Sequence, residues 1–132
     1  MPAIASFGVS DGAATPVNHI FNPNGIVNDV AKFLESGTYA IGNKEMSFSV
    51  RRSPQTGKFT VVQKFTVPIV VEPIVNGIGE PRIARVARGE LTLTFDQTST
   101  RQERLDFLRM FTNGTRTGTI GEKVAVDLEN VW

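Results

Sequence analysis

The sequence contains no cysteine, which excludes disulfides and thiolate metal sites and leaves the redox compartment unmarked. It contains a single histidine, His19, so the side chain best suited to moving protons near neutral pH occurs only once. Formal net charge is +1, with no basic tail. Any case for a nucleic-acid partner must therefore come from how charge is divided between faces. No apolar run approaches the ~18 residues of a membrane span, and the N-terminus lacks a basic-then-apolar signal pattern. A protein made and used in a cytoplasm, with no membrane partner, is the expectation. Catalytic signatures are missing too: there is no HxxxH, DxD, phosphate-loop or nucleophile-elbow pattern. His19 has no Ser/Asp spacing around it and reads as a turn or edge-strand histidine. Asp96, Asp106, Asp127 and Glu129 are scattered along the chain and do not carry the spacing of a metal site. No enzyme, cofactor or metal is expected.

What is present is enough for one domain, 1–132. The 132 residues are 40% hydrophobic and 20% charged, as in an ordinary soluble globular protein with a real core. The chain is organised around residues 45–68, a long β-hairpin. Met46, Phe48 and Val50 alternate with Ser47, Ser49 and Arg51 on the way in. Phe59, Val61 and Phe65 alternate with Lys58, Thr60, Val62 and Lys64 on the way out. A period of two sends each set to one side of a sheet. The turn Ser53-Pro54-Gln55-Thr56-Gly57 has proline early and glycine late, as a four- to five-residue hairpin loop requires.

Before the hairpin, residues 4–10 read as a strand and Asp11-Gly12 as a turn. Thr15–Phe21 is the return strand, with Pro16 and His19 suggesting an edge. Phe21–Gly25 reads as a loop rich in turn formers. Residues 26–36 fit a helical stripe and a strand equally well. After the hairpin, 65–72 continues the strand, with Pro68 marking a bulge or an edge. The proline-bracketed 73–81 is either a tight hairpin or a projecting loop, and its apolar Ile74, Val75 and Ile78, unusual for a solvated tip, suit contact with another molecule. The longest strand is 82–95. It places Arg88, Glu90 and Thr92 on one face and Leu91, Leu93 and Phe95 on the other, with Arg85 a misfit on the apolar side. Thr100 and Glu103 form a capping-box pattern ahead of an apolar helical stripe of Leu105, Phe107, Leu108 and Phe111. Asn113-Gly114 stops that helix. Residues 122–130 form a second short helix or an extended tail ending at Trp132.

Strands first and helices last imply an α+β fold. Six strand candidates covered by so little amphipathic helix leave the monomer incomplete, which favours an oligomer. The polar hairpin face gathers Ser47, Ser49, Arg51, Lys58, Thr60 and Lys64. Arg88 and Glu90 join it if the long strand is adjacent. Cations for phosphates, with hydroxyls and a carboxylate for base edges, are what an RNA-binding sheet needs. Outward strand faces are also rich in such residues simply because they meet water. This face has no aromatic stacking platform. On the residues alone both readings stand.

The chain resembles the coat proteins of small single-stranded RNA bacteriophages, the levivirus-like group. Four stretches carry the match: ATPVNHIFNP at 14–23, SFSVRRSPQTGKFTV at 47–61, the VP…VNGI…P loop at 67–81, and GELTLTFDQTSTRQER at 89–104. Their order and spacing agree over essentially the whole chain. The resemblance implies an N-terminal β-hairpin, a five-stranded antiparallel sheet and two C-terminal helices, built as an intertwined homodimer in which each copy's helices lie across its partner's sheet. It makes 26–36 a strand. It further implies a shell: dimers building an icosahedral virion in the bacterial cytoplasm, the 73–81 loop at symmetry axes, and the joined sheet facing packaged single-stranded genomic RNA. An RNA hairpin that represses replicase translation and a single-copy maturation protein are the remaining implied partners. Ser47, Ser49 and Arg51 match family positions that contact the hairpin, and Thr60 and Arg88 fall on RNA-facing positions. Glu45 stands where the family often has a cation, and Val86 where some members place a stacking tyrosine. A freestanding dimeric regulator that binds RNA on the same face, without building a shell, is the other functional reading.

Overall fold

The computed structural model describes residues 3–131. Its strands are β1 (Phe7–Ser10), β2 (Asn18–Val27), β3 (Val30–Glu35), β4 (Lys44–Arg52), β5 (Phe59–Val71), β6 (Ile74–Val75), β7 (Ile78–Gly79) and β8 (Arg82–Phe95), followed by helices α1 (Arg101–Asn113) and α2 (Ile120–Asp127). This is the α+β order expected. One sheet runs β1-β2-β3-β4-β5-β8, and β6-β7 form a separate ribbon. Two compact units divide the chain after Thr94.

The central hairpin forms as the alternation dictates. Met46 pairs with Phe65, Ser47 with Lys64, Ser49 with Val62, Val50 with Val61 and Arg51 with Thr60. The Ser53 and Lys58 backbones close its loop, and Gly57 takes a left-handed φ of 71° there, a conformation glycine adopts without a Cβ penalty.

The stretch before the hairpin departs from expectation. No loop forms at 21–25. β2 runs straight through it, pairing with β1 up to Phe21 and with β3 from Asn22 onward. The pairing register shifts between Pro23 and Ile26, where β2 spends one residue more than β3. Gly25 sits there at φ 99°. The turn formers thus make a bulge and a bend within a strand instead of ending it. The expected 26–36 strand is likewise divided. Ile26 and Val27 belong to β2, and Asn28 and Asp29, both with positive φ, make a two-residue hairpin turn into β3. His19 lies on the part of β2 that pairs only with β1, the edge position expected of it. Pro68 lies beyond Thr66, the last β5 residue paired with β4, so its missing N–H breaks no bond of that ladder.

The bend folds the β1-β2 hairpin over the apolar face of the sheet. Phe21, Phe33 and Met46 form the buried core, with Phe7, Ala31, Phe48 and Phe65 packed against it. The Phe7 ring from β1 meets Phe33 edge-on at 5.0 Å and Phe48 at 5.9 Å, and Phe21 from β2 meets Phe65 at 5.8 Å. Such edge-on pairs add to the burial of their apolar area. The chain's own hairpin therefore roofs Met46, Phe48 and Phe65. That part of the face needs no second chain; Val50, 59% exposed, and Phe59, under the Arg52 guanidinium at 5.7 Å, are among the side chains it leaves open.

Segment 73–81 takes the tight-hairpin option. Ile74 pairs with Gly79 and Val75 with Ile78 across Asn76-Gly77, both in left-handed conformations, as a two-residue primed turn demands. Ile74 and Ile78 are 77% and 72% exposed. Glu72 anchors the ribbon's base: it accepts a 2.5 Å hydrogen bond from the Tyr39 hydroxyl, and its carboxylate lies against Gly79 so closely that a Cβ there would overlap it.

In the second unit, the capping box forms in full. Thr100 Oγ1 accepts from the Glu103 N–H at 3.2 Å and Glu103 accepts from the Thr100 N–H at 2.7 Å. The Phe107 ring sits edge-on to Phe95 at 5.7 Å. The second helix starts earlier than the expected residue 122, because Thr119 caps it. Its hydroxyl accepts from the Glu122 N–H, while Glu122 accepts from the Gly118 N–H. Thr119 and Glu122 repeat the spacing of Thr100 and Glu103, a signal present in the sequence. The helix ends at Asp127, short of the expected 130, with Leu128 left-handed. Trp132 lies outside the described residues.

Candidate nucleic-acid interface

The face opposite the aromatic core is an open cleft of about 730 Å³. It is lined by Val30 and Lys32 of β3, Glu45, Ser47, Ser49, Arg51 and Arg52 of β4, Ser53 of the hairpin loop, Thr60, Val62 and Lys64 of β5, and Glu90 of β8. Antiparallel pairing arranges most of these side chains in rows across the strands. Lys32 pairs with Ser47, and Ser47 with Lys64, giving a cation, a hydroxyl and a cation in line. The Glu90 carboxylate extends that row, 4.0 Å from the Lys64 ammonium. One row on, Val30, Ser49 and Val62 lie side by side, and beyond them Arg51 faces Thr60. Successive rows are two strand residues apart, about 6.7 Å. Lys64 and Glu90 are more than half exposed, so their mutual attraction is screened and leaves both groups able to meet a ligand.

Of the eight residues expected on this face, Ser47, Ser49, Arg51, Thr60, Lys64 and Glu90 line the cleft together. Lys58 and Arg88 do not line it. Lys58 falls in the hairpin loop, one residue before β5 begins, where its carbonyl accepts from the Ser53 N–H. Arg88 shares the β8 alternation with Glu90 and lies one row further along. Lys32 was missed. Reading 26–36 as a strand already put Val30, Lys32 and Leu34 on one face, but only the pairing of Lys32 with Ser47 shows that this face is the cleft's.

Chemically the cleft offers four cations, four hydroxyls and two carboxylates on a sheet. Lys32, Arg51 and Lys64 suit phosphates, while Ser47, Ser49, Thr60 and the acids can pair with base edges. Among the described residues no group of acidic or histidine side chains is arranged to hold a metal ion, and no helix is long and apolar enough to cross a membrane.

Comparison with known proteins agrees with this architecture. A profile of the levivirus coat protein family matches residues 2–132. The capsid protein of Pseudomonas phage PRR1 is 31% identical over 125 residues, covering 94% of this chain and 95% of that protein. Among solved structures, the virus-like particle of bacteriophage ESE058 shares the fold with a TM-score of 0.85 at 24% identity, covering 99% of this chain and 100% of that one. An unassembled virus coat protein dimer, a bacteriophage RNA-binding dimer, superimposes with a TM-score of 0.71 at 18% identity, covering 98% of both chains. A profile match along almost every residue and a relative alike over nearly its full length leave one assignment: the chain belongs to the levivirus coat protein family.

Proposed function

We propose that this chain is the shell-forming protein of an RNA phage virion. Two copies pair into an intertwined dimer, dimers close into an icosahedral shell, and the cleft face binds the packaged single-stranded RNA. The observation that carries this reading is the two-sided sheet. One face is an open groove of cations and hydroxyls, and the other keeps Val50 and Phe59 exposed after its own hairpin has folded over it. Phe107, Met110, Phe111 and Ile120 are exposed as well. Uncovered apolar surface on both the sheet and the helices suits a partner copy whose helices cover what this chain leaves open. Relatives in virus-like particles and in an RNA-binding dimer support the same reading. A genomic hairpin bound as a translational repressor and a single maturation protein in the shell complete the proposal.

Expression of the chain alone is expected to give particles of roughly megadalton mass containing nuclease-protected host RNA, because dimers and any polyanion suffice for assembly. A stable monomer or lone dimer in sedimentation at every salt concentration would sink the proposal. The cleft's share is tested separately. Arg51→Ala is expected to weaken RNA binding by about 1–3 kcal/mol and to reduce the salt dependence by about one charge. Unchanged affinity and slope would remove Arg51 from the interface.

A further inference from the structure

The lone histidine of the chain sits between two carboxylates on the far side of the sheet's core from the cleft. The His19 Nε2 lies 3.0 Å from Asp11 Oδ2, and its Nδ1 lies 2.9 Å from the Glu35 carboxylate. Asp11 belongs to the β1-β2 turn. Its other oxygen, Oδ1, accepts the backbone N–H groups of Ala13 and Val17. Glu35 ends β3 and also receives the Lys44 ammonium, from the first residue of β4, at 3.0 Å. The imidazole therefore joins the turn of the N-terminal hairpin to the β3-β4 corner. The remaining neighbours along this pocket, Val9, Ser10, Phe21, Phe65 and Val67, carry no ionisable group. The titrating set is thus Asp11, His19, Glu35 and Lys44.

The donor count is what gives this arrangement a consequence. Ionised carboxylates only accept hydrogen bonds, and a neutral imidazole has one N–H. Only the imidazolium can donate to Asp11 and Glu35 at once. Lys44, already bonded to Glu35, favours the ionised form of that carboxyl, so Glu35 does not supply the missing proton. We propose that protonated His19 is a clamp that holds the β1-β2 hairpin closed over the sheet, and that loss of its proton releases one side of the clamp and loosens the aromatic roof. The roof at stake is Phe7 and Phe21 against Phe33, Phe48 and Phe65.

The electrostatics run the same way. His19 is raised above its ordinary 6.5, first by the bond to Glu35 and then by that to Asp11, against partial desolvation and the nearby Lys44. Asp11 is held at about 2, by the Val17 N–H first, then by His19 and the Ala13 N–H. Glu35 is pulled upward by desolvation, yet the His19 and Lys44 bonds together leave it below its ordinary value. A raised histidine stabilises the fold below its unfolded pKa, and that contribution is lost as pH rises through the folded one. Lowered carboxylates stabilise above their unfolded values and lose that contribution as pH falls through the folded ones. The clamp is therefore fully closed below the ordinary histidine value of 6.5 and opens as pH rises through the raised one.

Hydrogen–deuterium exchange of the full-length protein, corrected for intrinsic rates and followed by mass spectrometry from about pH 5.5 to 9, tests this. Protection of residues 7–21 is expected to fall about tenfold, the worth of one hydrogen bond to a charged group, as pH rises through the His19 titration. Peptides of β4 and β5 should hold theirs. His19→Gln, which cannot change charge, should remove the step. In Glu35→Gln, which keeps the fold's shape but deletes the larger of the two attractions, the step should move to lower pH. Flat protection in the wild type, a step that survives in His19→Gln, or an unmoved midpoint in Glu35→Gln would each overturn the clamp.

Discussion

Phe21→Ala is expected to lower the free energy of unfolding by about 3–5 kcal/mol, the usual cost of emptying a well-packed aromatic site. Phe21 is 1% exposed, the most deeply buried large side chain described. It stacks on Phe7 at 5.7 Å and meets Phe65 edge-on. It is also the residue at which β2 leaves β1 and turns toward β3. Truncation there removes apolar burial and opens a cavity in the cluster that Phe21 shares with Phe33 and Met46, which a shift of Met46 would fill only in part. Because domains of this kind hold only about 5–15 kcal/mol in total, the loss is a large fraction of the whole. Urea denaturation at matched protein concentration should show it as a lowered midpoint, with Phe21→Leu intermediate. A midpoint within error of the wild type would mean that the hairpin does not roof the core.

Replacing Ile74, Val75 and Ile78 together by serine is expected to abolish particles while leaving dimers that still bind RNA. In the single chain these side chains are 77%, 51% and 72% exposed, so the fold gives up little when they change. Under the proposed function their worth lies in contacts with other copies. Burying each would contribute about 1–2 kcal/mol, and a closed shell repeats that loss at every copy. Size-exclusion chromatography with light scattering separates the outcomes. Particles of wild-type size from the triple variant would show that the ribbon is not a shell contact and would favour a freestanding RNA-binding dimer.

Much of this was legible in the sequence where the cause was local. The β4-β5 hairpin announced itself because alternation and turn chemistry agree within 24 residues, and turn length sets register without help from the rest of the chain. Thr100 and Glu103 announced α1 for the same reason. Residues 21–30 were misread because their signals are ambiguous at short range. Pro23, Asn24 and Gly25 are turn formers whether they end a strand or bend it, and only pairing with Phe33 and Ala31 decides which. The real turn, Asn28-Asp29, lacks the glycine that usually marks one. The roofing of Phe48 and Phe65 by the chain's own hairpin depends on where that bend points, which no local pattern encodes. In the cleft, Lys32 needed the register of a neighbouring strand, and Lys58 fell outside because the alternating strand starts one residue after it.

Alternation along β4 has a consequence for how such a protein can change over time. Residues 46, 48 and 50 point to one side and 45, 47, 49 and 51 to the other, so every second codon answers to a different demand. Substitutions at the odd positions can retune what the groove prefers without altering the volume of the aromatic core. Those at the even positions can repack the core without touching the groove. Recognition and stability are thus written on one strand in interleaved, separable tracks. A lineage can shift to a new ligand sequence one odd position at a time while the scaffold beneath stays the same.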